Sequence, residues 1–230
     1  MDLKADYKRL MEVLALKRAP IAVTYTNEAQ PGDGKSRSAC GAIWHAYQGN
    51  VVVVTPETSA CPGGQWYLGL AKSPREGLED FLVNIEHIFA SLPCARSYLA
   101  NSPAPPVGLA EQIVFAPLDQ AELQPDLVIF AGHALVASRV LGLVAFDAGM
   151  PLKLSAFGAT CHTAVGNPVM TGLPDISFID VSSRKQAGFS DDELLITLPW
   201  RYYRSLVENL DRSICGTAKP DWSRERRRSS

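Results

Sequence analysis

The sequence predicts an α+β or mixed α/β fold, built as a single globular domain with a mixed sheet flanked by helices. Apolar residues recur at helical spacing in some segments and form short strand-like runs in others, and the two kinds of segment alternate irregularly. The chain has 230 residues and is 47% hydrophobic, which is enough for a sizeable core. We expect this domain over residues 1–218, with two tightly packed lobes as the alternative, and a basic, disordered tail over 219–230.

Five segments have the apolar spacing of helices: 2–17, 39–47, one beginning at 74–76, 135–147 and one after Pro199. Asp2 and Ser38 are suitable N-caps for the first two. Because Ser38 precedes the second helix, we expect Cys40 in its first turn. The inner face of the third helix is expected to carry five apolar residues: Leu78, Phe81, Leu82, Ile85 and Phe89.

Short runs of β-branched and aromatic residues, bounded by proline, glycine or polar turns, predict the strands. They cover residues 21–26, 51–55, 112–117, 127–130, 176–181 and 194–198. Between the fourth and fifth of these runs, residues 160–165 are expected to open a short helix that carries Cys161.

The charge balance favours a small-molecule ligand over nucleic acid or an anionic membrane. Charged residues make up 20% of the chain, and the formal net charge is −2. No apolar run approaches the roughly 20 residues that a membrane helix needs. The first residues lack the layout of a signal peptide, so a cytoplasmic protein is expected. The five cysteines, an odd number, favour reduced thiols or metal ligands over a disulfide framework.

Three of these cysteines lie beside glycine or other small residues. Cys61 opens the run Cys-Pro-Gly-Gly, Cys40 opens Cys-Gly-Ala, and Cys161 follows Gly-Ala-Thr. Glycine lets the backbone approach a bulky group and leaves its N–H groups free to face sulfur, so Gly63 and Gly64 are candidate cofactor contacts. This pattern predicts a metal or cluster site, or a reactive thiol.

Several segments together resemble the family known as domain of unknown function 169. They are residues 14–23 (LALKRAPIAV), the Cys40 and Cys61 motifs, 68–70 (LGL) and 198–199 (LP) with the helix that follows. Many members have a further glycine- and arginine-rich stretch after an aspartate, where this chain reads DVSSRK from Asp180. The resemblance therefore supports the N-terminal half most strongly, and it implies no established activity.

The leading interpretation is an iron–sulfur cluster held by Cys40, Cys61 and Cys161, in service of small-molecule chemistry. Three thiolates on a four-iron cluster would leave one iron open to a substrate. In this interpretation His162 is a candidate proton donor. Trp44, Trp66 and Tyr67 are candidates for the pocket wall.

Four alternatives remain at this point: zinc, a metal-free binding protein, inert cysteines and a structural partner subunit of another protein. Zinc is the second choice of metal, with His45 or His162 joining the cysteines, although the spacing from Cys40 to His45 suits one helix face poorly. A metal-free binding or sensing protein would have Cys61 in its pocket. Buried, inert cysteines are common in cores. A homodimer is expected only because homodimers are frequent.

Overall fold

In the computed structural model, six strands form one antiparallel sheet in the order β2-β3-β1-β4-β6-β5. The structure describes residues 2–32, 36, 38–72, 76–149, 152–155 and 158–220. The predicted α+β class and single domain are confirmed. The sheet is antiparallel throughout this part of the chain, whereas a mixed sheet was predicted. Most of the predicted tail, residues 221–230, lies outside the described residues.

The strands match the predicted runs closely at the centre of the sheet and less well at its edge. Their bounds are β1 Ile21–Thr26, β2 Val52–Val54, β3 Gln112–Pro117, β4 Leu127–Gly132, β5 Asp175–Ser177 and β6 Leu194–Pro199. The predicted strand at 176–181 is wrong over its second half. Asp180 caps a helix there instead, and the edge strand β5 ends at Ser177.

Nine α-helices precede, connect and follow the strands in the described part of the chain. They are α1 Leu3–Val13, α2 Ala39–Tyr47, α3 Pro62–Tyr67, α4 Leu78–Asp80, α5 Leu92–Ala100, α6 Ala134–Ala148, α7 Asn167–Thr171, α8 Val181–Ala187 and α9 Trp200–Asn209. Two π turns adjoin these helices. Phe81–Ile85 continues α4, and His162–Gly166 leads into α7. Every helix in the described ranges is too short or too polar to span a bilayer.

The helix expected from 74–76 is interrupted by the first π turn. The N–H of Glu86 donates to the carbonyl of Phe81, five residues back, at 2.9 Å. This wider spacing rotates later side chains out of the stripe expected for an α-helix. Phe81 and Ile85 are consequently exposed, whereas Leu78 and Leu82 pack in a small cluster with Ala95 of α5.

The sheet separates two apolar cores, because alternate residues of each strand point to opposite faces. On one face, which we call the cysteine face, Ile21, Val23 and Ile129 pack under α2, the second π turn and α8. On the opposite face, Val128 and Phe130 pack under α1, α6 and α9. All three cysteines of the predicted site lie on the cysteine face.

Candidate cysteine site

Cys40 is the second residue of α2, as its position after Ser38 predicts. Ser38 is the N-cap, and its hydroxyl accepts a hydrogen bond from Gly41 N–H at 3.1 Å. The same hydroxyl lies 3.3 Å from Cys40 Sγ. Cys40 is 8% exposed and packs against the core of the cysteine face. The first turn of a helix carries N–H groups without intrahelical partners, and Cys40 lies in that turn.

Cys61 is itself the N-cap of α3, a helix that the sequence pattern did not predict. Its Sγ accepts a hydrogen bond from Gly64 N–H at 3.4 Å. A Cβ added to Gly64 would lie 3.4 Å from that sulfur and 3.6 Å from the amide nitrogen of Ala39. The first turn of α3 is therefore packed directly against the start of α2, which carries Cys40.

Cys161 directly precedes the second π turn, and its backbone is held through the neighbouring Thr160. The backbone N–H and hydroxyl of Thr160 both donate to the carboxylate of Asp180, at 2.8 and 2.7 Å. Asp180 also accepts from the N–H and hydroxyl of Ser183, both at 2.8 Å, as the N-cap of α8. Asp180 thus fixes the segment that carries Cys161 to the start of α8.

Asp180 was not predicted as a site residue. Its spacing to Ser183 is typical of a helix N-cap, so that role was open to prediction. Its bond to Thr160, 20 residues earlier, depends on tertiary structure. Burial raises the pKa of this carboxyl, but the four hydrogen bonds outweigh burial, and the pKa is lower than its usual value.

Cys40 and Asp180 lie close enough to Cys61 and Cys161 to influence the ionisation of these two thiols. Burial raises the pKa of Cys61. The N–H groups of Gly64 and Gly63 lower this pKa, whereas the nearby Cys40 and Asp180 raise it. Burial also raises the pKa of Cys161 well above its usual value, with further contributions from Cys61, Cys40 and Asp180. Cys40, Cys61 and Cys161, which are far apart in sequence, thus lie near one another in the fold.

His162 follows Cys161 but contacts a different set of groups. It is 4% exposed, and its ring lies against the ring of Tyr67. Burial lowers its pKa, although Asp175 and the Pro103 carbonyl act in the opposite direction. His162 is therefore neutral at neutral pH, and a neutral imidazole is a better proton acceptor than donor.

The geometry offers little to a zinc site of mixed cysteine and histidine ligands. His45 lies on the exposed side of α2, whereas Cys40 is buried. Over the described ranges, no three His, Cys, Asp or Glu side chains are grouped as ligands of a single metal ion. In an iron–sulfur cluster, iron and sulfide ions stand between the thiolates, so the cysteines need not converge on one atom.

The three predicted wall residues occupy two places. Trp44 packs edge-on against Phe189, with ring centroids 5.2 Å apart, and Arg18 lies over its ring at 4.7 Å. Trp66 contacts Tyr67 instead, with centroids 4.7 Å apart. Tyr67 in turn contacts the ring of His162 at the same centroid distance.

Two further cysteines lie outside the site. Cys94 is exposed on α5, where its sulfur accepts a hydrogen bond from the Ser91 hydroxyl. Cys215 packs closely against Gly142 of α6, where an added Cβ would lie 2.5 Å from its sulfur. A shallow groove lined by Thr24, Ala116 and Leu123, among others, also lies apart from the cysteines.

The described part of the chain is an antiparallel α+β domain with Cys40, Cys61 and Cys161 at the starts of helical segments. The chain belongs to the DUF169 family, whose model is described as an uncharacterised ArCR and matches residues 9–209. It is also similar to the uncharacterized protein MJ0308 of Methanocaldococcus jannaschii. The two are 23% identical over 223 residues, which cover 91% of this chain and 94% of that protein. No solved structure matches. The resemblance noted in the sequence is thus confirmed.

Proposed function

We propose that the protein binds an iron–sulfur cluster through Cys40, Cys61 and Cys161 and uses it in the chemistry of a small molecule. The observation that carries this proposal is that three thiols lie near one another at the starts of three helical segments, with the Gly64 N–H bonded to Cys61 Sγ and the His162 N–H acting on Cys161. Such N–H groups stabilise the negative charge of thiolates and of cluster sulfides.

The raised pKa values of Cys61 and Cys161 support a metal-bound role over a free nucleophile. A thiol attacks as its thiolate, and burial keeps both groups protonated at neutral pH. Metal binding removes the thiol proton outright, so burial does not prevent coordination. The cluster would supply redox or Lewis-acid chemistry, while the residues around it exclude water and position the ligand.

A metal-free small-molecule binding protein is the second candidate. The same burial that raises the pKa of Cys61 would leave a neutral thiol as part of an uncharged pocket. Such a protein is colourless, and it gains thermal stability with its ligand by mass action.

Metal analysis of anaerobically purified protein separates the two candidates. We expect iron and sulfide in stoichiometric amounts and broad visible absorption, and we expect Cys61→Ser to lose both. Cys94→Ser is the matched control, because that exposed cysteine lies outside the site, and it should keep its colour. Stoichiometric zinc without colour would favour a zinc site, and protein without metal would overturn the cluster proposal.

The remaining parts of the proposal concern the setting of this activity. We propose a cytoplasmic protein, because reduced thiols persist in that compartment. The partner is a small molecule, since the formal net charge of −2 does not favour binding to nucleic acid or an anionic membrane. A homodimer is the expected oligomer, and light scattering on the purified chain measures it.

A further inference from the structure

A groove lies on the face of the sheet opposite the cysteines. Its floor consists of two cross-strand pairs of β1 and β3, Ala22 with Ala116 and Thr24 with Val114. Residues 30–31, after β1, and 120–123, after β3, complete much of the lining. The space within the groove is about 450 Å³, part of it open to solvent. A volume of this order is typical of sites for small molecules.

Most of the floor is buried without being part of the core on that face. Ala22 belongs to this core, together with Leu118. Thr24, Val114 and Ala116 do not, although each is at most 9% exposed. The space above these three side chains is therefore the groove itself, whereas α1, α6 and α9 cover the rest of this face.

Thr24 is the residue that points to a ligand. It is 8% exposed, and its hydroxyl makes no hydrogen bond within the described ranges. The side chain lines the groove, so a molecule seated on the floor comes within reach of this hydroxyl. Buried polar groups are almost always hydrogen-bonded, and a ligand in the groove would provide the partner.

We infer that the groove binds a short aliphatic amine in its ammonium form. The alkyl part lies on the apolar floor, and the ammonium group donates to the polar groups of the lining. This inference goes beyond the proposed function, because the groove and the three cysteines lie on opposite faces of the sheet.

Hydrogen-bond chemistry selects a ligand that is rich in donors. Glu122 offers a carboxylate, which only accepts hydrogen bonds. Gln120 donates its amide nitrogen to the Gly49 carbonyl at 3.4 Å, which leaves its amide oxygen as an acceptor. The Thr24 hydroxyl and the Gln30 amide oxygen accept as well. An ammonium group has three N–H donors and no acceptor, so it matches these groups.

The charge of the segments that line the groove favours a cation. Glu122 is the one charged side chain in the described lining. Residues 97–138, which include β3 and the segment 120–123, contain four carboxylates and no lysine or arginine. A carboxylate or phosphate ligand would be repelled there, whereas a cation is attracted. The alkyl part of the ligand gains from leaving water for the apolar floor.

The test is a titration of the full-length chain, as purified, followed by nuclear magnetic resonance of ¹³C-labelled threonine and alanine methyl groups. The probe is n-butylamine, which is protonated at neutral pH, and 1-butanol and butyrate are its uncharged and anionic counterparts. We expect saturable shifts of the Thr24 and Ala116 methyl resonances with n-butylamine, weaker binding of 1-butanol and no binding of butyrate. Thr160 and Thr163, on the cysteine face, are internal controls and should not shift.

The hydroxyl of Thr24 is tested by a matched pair of variants, with the Ala116 methyl group as the readout. Thr24→Val keeps the branched shape and removes the hydroxyl. It should weaken n-butylamine binding by about tenfold, the effect of one hydrogen bond to a charged group. Thr24→Ser keeps the hydroxyl and should bind as wild type does.

The carboxylate is tested in the same way. Glu122→Gln should weaken n-butylamine binding by about two- to fivefold, because the exposed charge is screened by solvent. Asp191→Asn, at an exposed position outside the groove, is the control and should leave binding unchanged.

Two kinds of result would overturn the inference. Binding of butyrate or 1-butanol as tight as that of n-butylamine would exclude a cationic ligand class. No saturable shift with n-butylamine, or unchanged binding in Thr24→Val, would exclude the site. Neither result depends on whether the chain contains iron, so the metal analysis and this titration succeed or fail separately.

Discussion

At the scale of single residues, Asp180 holds the segment that carries Cys161. The sequence analysis did not name it as a site residue. Its four hydrogen bonds join the segment before Cys161 to the first turn of α8. An ionised carboxylate accepts all four, whereas a protonated one gives up acceptor capacity. Asp180 is therefore a positioning residue for Cys161.

Asp180→Asn should lower the free energy of unfolding at neutral pH by about 1–3 kcal/mol, because hydrogen bonds to a charged acceptor are lost. The folded-state pKa of Asp180 is below its unfolded value of about 3.9. Its contribution is therefore complete above about pH 4 and declines as the pH falls through the folded pKa. Urea denaturation between neutral and acidic pH measures the difference.

The difference between wild type and Asp180→Asn should consequently shrink in acid. Asp191→Asn, at an exposed position, is the control and should match wild type throughout. A constant difference across the whole pH range would show that the carboxylate charge is not the cause.

At the scale of secondary-structure elements, the packing of α3 against the second π turn brings Cys61 towards Cys161. A Cβ on Gly166, the last residue of that turn, would lie 2.6 Å from the carbonyl oxygen of Tyr67. Backbone atoms cannot move aside as a flexible side chain can, so this contact requires glycine.

Gly166→Ala should therefore lower the free energy of unfolding by about 1–3 kcal/mol. Gly63→Ala is the matched control, because a Cβ at Gly63 meets nothing within 4 Å. Its helical position gains up to about 1 kcal/mol from the higher helix propensity of alanine. Urea denaturation midpoints of the two variants measure the contrast, and equal destabilisation would contradict the packing argument.

The accuracy of sequence-based prediction also differed between elements, for physical reasons. The sequence predicted β1, β3 and α2 correctly, because their apolar patterns and the Ser38 cap are local features. It missed α3, where two glycines follow Pro62 and helix propensity is low. It placed Cys40 at a helix start. It grouped Cys40 with Cys61 and Cys161 only because all three have small neighbours, since local patterns carry no information about long-range packing.

For the whole molecule, the sheet is shared by two cores and makes them a single folding unit. Each central strand contributes side chains to both faces, as Ala22 and Val23 of β1 show. Loss of packing on one face disturbs the backbone pairing that supports the other. A single cooperative transition is therefore expected, rather than separate unfolding of two lobes.

Single-tryptophan variants test this cooperativity. Trp44 packs against the core of the cysteine face and Trp200 against the opposite core. Fluorescence of either residue should give the same urea midpoint.

Phe115→Ala and Phe130→Ala each remove a core side chain from one face of the sheet. Each should lower the free energy of unfolding by about 3–5 kcal/mol and lower the urea midpoints of both fluorescence probes together. Separate midpoints for the two probes would indicate independent lobes.

The wide spacing of the three cysteines has a consequence for how the protein is made. Cys40 and Cys61 leave the ribosome well before Cys161, and Asp180, which anchors Cys161, is synthesised later still. The strand β6, which pairs with β4, follows after that. A nascent chain therefore carries two of the thiols without the third, so a cofactor bound by all three is fully held only after Cys161 has been translated.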